Sequence, residues 1–471
     1  MKRRDFLTLS SVTALWLLSG CGKKSNSSSS GNNSAFSTSL PIPKLLKPTD
    51  IGGVKNYNLT VQNGKHQFVE GVQSDTMGIN SSYLGDTILL QNGDDVSLNF
   101  TNKLSVDTTM HSHGMHLPSS MDGTPHQTIK PNATWSSTYT VNQNACLNWY
   151  HSHALHKTAE QVYMGLAGLI IIEDSESVNL DLPKTYGEDD IPLVLQDRVF
   201  TNNQLNYSPS QMETMRGYIG DTLIANGAIE PTFYSPNKEV RFRILNGSNA
   251  SIYNLAFSDG REFKQIATDN SFLEAPVSIK ELLLSPAERA EIVVDLTNDL
   301  NKTITLRDTK TDKTFLKINV NKQATTNTTL PSQLTTLIKL DPTKAVKTRS
   351  FTLDGEMGKF TINGKSMNID VINERVPLGA IEIWEIKNNM RIDHNFHIHA
   401  THFMLLERNG SSAKILANEK GYKDVAFVPA NGSIKFIVKM TDYTDSTVPY
   451  MYHCHFLEHE DAGLMGQFVV V

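Results

Sequence analysis

The sequence predicts an all-β protein built as three consecutive β-sandwiches. Three observations predict it. Short alternating or apolar runs, at residues 88–90, 96–100, 291–296, 434–438 and 468–471, recur between Gly, Asn and Pro residues, the pattern of strands separated by turns. An internal repeat relates residues 96–102, 240–246 and 381–386, so one unit occurs three times. The chain has 471 residues, 39% hydrophobic and 20% charged, enough for several cores of ~100–150 residues each. That composition excludes a disordered, collagen-like or multi-span membrane chain. A net charge of −6 gives no electrostatic support for nucleic acid binding. Three cysteines exclude a disulfide-built scaffold.

The N-terminus is not part of the fold. Lys2, Arg3 and Arg4 precede an apolar run at about residues 7–18, roughly half the ~20 residues a spanning helix needs. Residues 1–20 therefore read as a signal peptide. Arg3-Arg4-Asp5-Phe6-Leu7 resembles a twin-arginine export signal. Leu18-Ser19-Gly20-Cys21 resembles a bacterial lipobox, which implies a lipidated Cys21 as the new N-terminus. Residues 22–39 are rich in Ser, Asn and Gly and bury too little apolar surface to offset chain entropy. Residues 21–49 are thus expected to be a lipid-anchored flexible tether. The protein is expected to be exported and membrane-attached, on the periplasmic or cell-surface face.

The three modules are expected at residues 50–175, 185–322 and 345–471, joined through residues 181–184 and 321–341. Fifteen histidines are distributed very unevenly among them. Seven lie between His111 and His156 and seven between His394 and His459, and residues 157–393 contain none. Shifting the middle module by 141 residues onto the third puts Tyr253, Ala256 and Ser258 where His394, His397 and His399 stand. The middle module therefore reads as a support without ligands. The first and third must meet, because each holds part of the histidine set.

The clusters have a grammar. His111-Ser112-His113, His151-Ser152-His153, His397-Ile398-His399 and His453-Cys454-His455 are four His-x-His pairs. In a strand, residues i and i+2 face one side, so each pair offers two imidazoles together. Cys454 then faces away from His453 and His455, and one segment serves two metal sites back to back. Thiolate plus two imidazoles is the donor set of a blue-copper electron-transfer centre, supplied by Cys454, His394 and His459. Zinc knuckles would need closely spaced Cys or Cys/His ligands, and a single cysteine among dispersed histidines suits copper better.

These four motifs resemble those of the multicopper oxidases, in the bacterial laccase, bilirubin oxidase and copper-efflux oxidase branch. The resemblance extends over most of residues 50–471. It includes Trp149-Tyr150-His151-Ser152-His153, the run 158–174 and His455-Phe456-Leu457-Glu458-His459-Glu460-Asp461. It implies three cupredoxin-like Greek-key sandwiches and four copper ions. The type 1 copper would take His394, Cys454 and His459. The type 2 copper would take His111 and His397. The type 3 pair would take His113, His151, His153, His399, His453 and His455. His66, His116, His126, His156 and His402 are left to structural or surface roles, with His116 and His156 close enough in sequence to support the ligands. Cys146 reads as a small buried hydrophobe.

The resemblance also implies a reaction. Electrons from a reducing substrate enter at the type 1 copper and reach the other three coppers, where O2 is reduced to water. Asp122 and Glu460 match family acids linked to proton supply, or else to orienting ligand imidazoles. The family's type 1 axial position, often Met, falls on Leu464. The spacing of Gly463 and His459 holds that register, and a one-residue slip would substitute Met465. The substrate is expected to be either Cu(I), in copper tolerance, or phenols and aromatic amines. Met357, Met367 and Met390 form no dense thioether run, and Met115 and Met121 lie near the first motif. A monomer is expected, with no nucleic acid partner. The alternative reading is a copper storage or scaffold protein without turnover, since some relatives keep the frame as cell-division proteins and lose the ligands.

Overall fold

The computed structural model describes residues 38–326, 328–356 and 359–471. The expected leader, Cys21 and most of the tether lie outside them. Among the described residues strands dominate, arranged in six sheets that form three consecutive pairs. Among the described residues no helix is long and apolar enough to cross a membrane.

The first pair spans Leu45 to Glu173. One of its sheets runs Leu45–Leu46, Thr87–Gln91, Ala167–Glu173, Cys146–His151, His111–His113, and the other is built on Val54–Val69 and Asp95–Asn102. Tyr57, Leu59 and Phe100 of one sheet meet Ile88, Tyr150 and Ile170 of the other in a shared core. The second pair is built on Asp190–Thr201, Glu239–Asn246 and Arg289–Asp295 against Tyr253–Phe257 and Lys313–Lys322. In the third, Lys347–Glu356, Ile381–Asn388 and Ser433–Lys439 face a sheet ordered Glu374–Val376, Met465–Val470, Asp445–His453, His394–Ile398, Val425–Val428. Phe351, Trp384 and Phe436 fill the space against Phe396, Tyr452 and Phe468.

Residues 38–49 correct one expectation. They are bound to the fold and not part of a free tether. Leu40 donates its N–H to the Thr232 carbonyl at 2.9 Å and enters the second core. Leu45–Leu46 pairs in parallel with Thr87 and Ile88. The physical reason is composition: Leu40, Ile42, Leu45 and Leu46 restore apolar surface that the Ser- and Asn-rich stretch before them lacks.

A fourth cluster ties the three pairs together. Trp149 and Leu147 of the first, Val194, Ile224 and Leu245 of the second, and Val425 and Leu457 of the third are buried in one another. The seam between the first and third pairs is where both histidine groups lie.

Candidate metal centre

Strand parity sorts the ligand candidates. His111–His113 pairs antiparallel with Cys146–His151, placing His111 opposite His151. His394–Ile398 pairs with Asp445–His453, placing His397 opposite His453. On the strand His394–Ile398, His394 and His397 are three positions apart, an odd offset, so they face opposite sides. His394 shares its face with Phe396 and Ile398, which belong to the third core. His397, with His399 just past the strand end, faces the seam. Cys454 follows the strand end and joins Phe456 and Leu464 in the third core, while His453 and His455 turn to the seam.

Two clusters of donors result. In the first, Cys454 Sγ lies 3.4 Å from His394 Nδ1 and 3.9 Å from His459 Nδ1, and the two nitrogens are 3.2 Å apart. A point equidistant from the three atoms lies about 2 Å from each, a transition-metal bond length. All three residues are buried. The Phe456 amide donates to the sulfur at 3.4 Å, and His459 Nε2 donates to the Met215 carbonyl of the second module at 3.3 Å.

The second cluster holds eight buried imidazoles. His153 Nε2 and His399 Nε2 lie 3.3 and 3.1 Å from His453 Nε2. His111 stacks on His399 with centroids 4.0 Å apart, and His113 on His397 at 3.8 Å. His455 lies 5.0 Å from His113 and 5.3 Å from His151 by ring centroid. The outer nitrogens are tied to oxygen. His111 Nδ1 donates to the Asp122 carbonyl at 2.8 Å, His151 Nδ1 to Ser152 at 2.8 Å and His397 Nδ1 to Asp424 at 2.9 Å. The inner nitrogens of His111, His113, His151 and His397, and both nitrogens of His455, have no hydrogen-bond partner although buried. Buried polar atoms are otherwise almost always paired, and here they converge in metal-binding triplets such as His111, His397, His399 and His153, His399, His453. These donors fit a cluster of several metal ions.

Burial also sets their charge. It pushes His151, His397, His399, His455 and His459 well below the ordinary histidine value, and His153 to about 4 and His394 to about 3. The rings are neutral near pH 7, the form that ligates. Burial raises the Cys454 thiol to about 12, so a metal must be present to make it a thiolate.

Three carboxylates bind the seam from outside, each reaching one histidine of the first module and one of the third. Asp122 Oδ2 accepts from His399 Nδ1 at 2.7 Å, and Asp122 also holds His111. Glu460 lies 3.4 Å from His153 Nδ1 and 3.1 Å from His453 Nδ1. Burial alone would raise the Glu460 carboxyl, but the imidazoles of His153 and His453 pull it down to about 2. Asp424 accepts from His113 Nε2 at 3.0 Å and holds His397 through its carbonyl. Asp122 and Glu460 were sequence candidates. Asp424 was not, because nothing in its local sequence marks it: its partners lie 311 and 27 residues away.

The remaining candidates fall as follows. Leu464 is fully buried beside Cys454; its carbonyl accepts from the Cys454 N–H at 3.1 Å. Met465 is the strand partner of His453 and so takes the face opposite Cys454. His116 donates to the Ala400 carbonyl and pairs with Asp442, while His156 donates to the Asp461 carbonyl. Among the described residues neither hydrogen-bonds a ligand candidate. Cys146 is buried and unpaired. Met390, unremarked as a ligand, brings Sδ to 3.1 Å from the outer nitrogen of His394. With Met215, Asp354 and Arg391 it lines an open cleft of about 960 Å³.

Comparison with known proteins agrees with this geometry. Three sequence profiles described as multicopper oxidase match residues 60–177, 189–333 and 329–471. The chain is 36% identical over 444 residues to the multicopper oxidase mco of Staphylococcus aureus, covering 93% of this chain and 94% of that one. It is 34% identical over 456 residues to the cell division protein FtsP of Xenorhabdus nematophila, covering 93% of each. Among solved structures, a bacterial laccase-like multicopper oxidase from Ochrobactrum sp. superposes with a TM-score of 0.85 at 35% identity, covering 92% of this chain and 100% of that one.

Proposed function

The chain belongs to the multicopper oxidase family, and from that premise we propose that it couples one-electron oxidation of a reducing substrate to four-electron reduction of O2 to water. It is an oxidase. Copper bound at the Cys454 centre would accept electrons singly, and three further coppers among the eight seam histidines would supply the oxygen chemistry. His394, Cys454 and His459 would hold the type 1 ion, with the side chain of Leu464 buried beside Cys454 and offering it no donor atom. His111 and His397 would hold the type 2 ion, and His113, His151, His153, His399, His453 and His455 the type 3 pair.

The observation that carries this reading is the segment 453–455. Its sulfur lies among donors for one site and its two imidazoles among donors for the other, with only a few covalent bonds between. Asp122 and Glu460, each against two ligand candidates, are the groups placed to hold and pass protons. A similar frame occurs in the cell division protein FtsP, and it is the complete donor set of this chain that supports turnover.

Cu(I) is the first proposed substrate. The thioethers of Met390 and Met215 and the Asp354 carboxylate line the cleft beside His394, and thioethers suit a soft cuprous ion. Phenols and aromatic amines are the second reading. A separate cavity of about 570 Å³ has Phe456, Ile252 and Tyr253 in its wall, and Phe456 stacks on His459 with centroids 5.3 Å apart. Export and lipidation at Cys21 complete the proposal. Copper-loaded protein should be blue and consume one O2 per four electrons delivered, with Cu(I) turned over faster than phenols. Colourless, oxygen-inert protein at full copper loading would overturn the proposal, and faster phenol turnover would reverse the substrate order.

A further inference from the structure

The second module supplies none of the ligand candidates, yet one of its side chains reaches the seam. Arg289 begins the strand Arg289–Asp295, and its guanidinium is fully buried. Nε donates to the Leu147 carbonyl at 2.8 Å and Nη2 to Asn148 Oδ1 at 2.8 Å, both on the first-module strand that ends in His151. Nη1 and Nη2 donate to the two carboxylate oxygens of Asp424 in the third module, each at 2.6 Å. Nη1 also reaches the Ala287 carbonyl at 3.2 Å. All five N–H groups of the fork are used.

We propose that Arg289 is a positioning residue for the trinuclear site: it fixes the Asp424 carboxylate, and Asp424 fixes His113 with Nδ1, not Nε2, toward the metal position. This rests on the proposed histidine–copper assignment. The supporting contrast is internal. His111, His151, His397, His399 and His453 all donate from Nδ1 to an oxygen, leaving Nε2 inward. His113 is reversed, with Nε2 bonded to Asp424 and Nδ1 buried without a partner. Which imidazole nitrogen ligates is decided by the acceptor offered to the other, and here the acceptor is Asp424.

Arg289 separates Asp424 from the other two acids. Asp122 and Glu460 each bridge two histidines but, among the described residues, have no Lys or Arg within salt-bridge distance. Asp424 alone is gripped by a planar two-pronged donor, which fixes its rotation as well as its charge. The packing leaves no slack. Gly114 follows His113 at φ +83, and a side chain there would collide with Asn148, Arg289 and Asp424. A nearby cation offers the control. Lys423 bonds Asp269 at 2.9 Å and Glu288 at 3.1 Å, joining the third module to the second, and among the described residues neither carboxylate lies within salt-bridge distance of an imidazole.

The test uses the full-length protein with and without copper. Arg289→Met should keep the blue thiolate absorption but weaken copper binding at the type 3 pair about 10–100-fold. The EPR-silent share of bound copper should fall with it. In metal-free protein, ¹⁵N-histidine NMR should show His113 changing from one tautomer to a mixture. Arg289→Lys should not rescue, since one ammonium cannot span Leu147, Asn148 and Asp424. If Arg289→Met does not fold, Arg289→Met/Asp424→Leu removes both buried charges together, which proteins tolerate better than an unpaired one, and should show the same loss. Lys423→Met should lower thermal stability and leave the EPR-silent share unchanged. Wild-type tautomer and EPR-silent share in the folded Arg289 variants, or an equal loss in Lys423→Met, would overturn the inference. If the unmodified protein bound no copper, the functional proposal would fail, while the metal-free tautomer measurement would still decide this one.

Discussion

Cys454 owes its position to the alternation of one short segment, and the residues beside it set what the centre does. On the proposed assignment its axial neighbour is Leu464, which offers no donor atom. A cupric ion held by His394, Cys454 and His459 would have no thioether from Leu464 to stabilise it, which would raise its potential. Leu464→Met should lower the potential of the blue centre, measured by redox titration of its absorption, while Met465→Leu should leave it in place because Met465 shares the face of His453. The opposite pattern would assign the axial position to Met465. Asp122 and Glu460 make a second residue-scale case. Each touches two ligand candidates, so an orienting role and a proton-carrying role both predict slower turnover. Asp122→Asn and Glu460→Gln, made singly, should each cost about 10–100-fold in turnover. A proton-carrying role also predicts a larger solvent isotope effect in each variant, and an unchanged effect would reduce both acids to orienting groups.

At the scale of elements, one device recurs in all three modules. The strands Asp95–Asn102, Glu239–Asn246 and Ile381–Asn388 each end in a buried asparagine. In each, Oδ1 accepts from the N–H two residues on, at Leu104, Ser248 and Met390. In each, Nδ2 donates to a carbonyl four or five residues on and to one far away in sequence: Val106 and Ile129, Ser251 and Leu284, Ile392 and Val428. The device pins the loop into the next strand, which carries ligand candidates in the first and third modules. Replacing any of the three with Ala strands buried partners and should cost about 1–3 kcal/mol, read as a fall in denaturant midpoint. Asn388→Ala should also alter the blue absorption, because its loop carries Met390 and delivers His394. Asn246→Ala should not, since the equivalent strand begins at Tyr253. The strands themselves were legible in the sequence where alternation is local: residues 96–100 and 434–438 lie inside Asp95–Asn102 and Ser433–Lys439. Residues 38–49 were not, because their partners at Thr232 and Thr87 are distant in sequence and their short apolar runs follow a long polar stretch. Asp424 and Arg289 escaped for the same reason. An isolated Asp or Arg carries no spacing, and its meaning appears only when three modules close on it.

The whole molecule is a stack of burial around groups that prefer to be charged, and this makes the metal-free chain acid-sensitive in a defined window. Burial holds His113, His151, His397, His399, His455 and His459 well below the ordinary histidine value, with His153 and His402 at about 4 and His394 at about 3. In the unfolded chain each titrates near 6.5. Below that pH the unfolded state binds protons that the folded state refuses. Each such imidazole therefore removes up to about 1.4 kcal/mol of stability per pH unit, until its folded value is reached. Six carboxyls run the other way. Burial raises Glu458 to about 7 and Asp461 well above its ordinary value, and it also raises Asp86, Asp197, Glu239 and Asp269 above the ordinary carboxyl value, so the fold gains stability from them as pH falls from 7 toward 4. Nine imidazoles, six of them held well below their ordinary value, outweigh six carboxyls and leave the histidines in control. The apo-protein should show a Tm nearly constant above pH 7 that falls by roughly 10 °C or more between pH 7 and 5. On the proposed assignment copper would bind eight of these nine imidazoles, all but His402, in the folded state, so it should raise Tm at every pH in that range. The unfolded chain still gains the same protons, so the acid loss should keep about the same slope, and the two curves should run parallel. A flat apo curve would mean that the seam opens to water and its imidazoles titrate freely, which is incompatible with a closed donor cluster between the first and third modules.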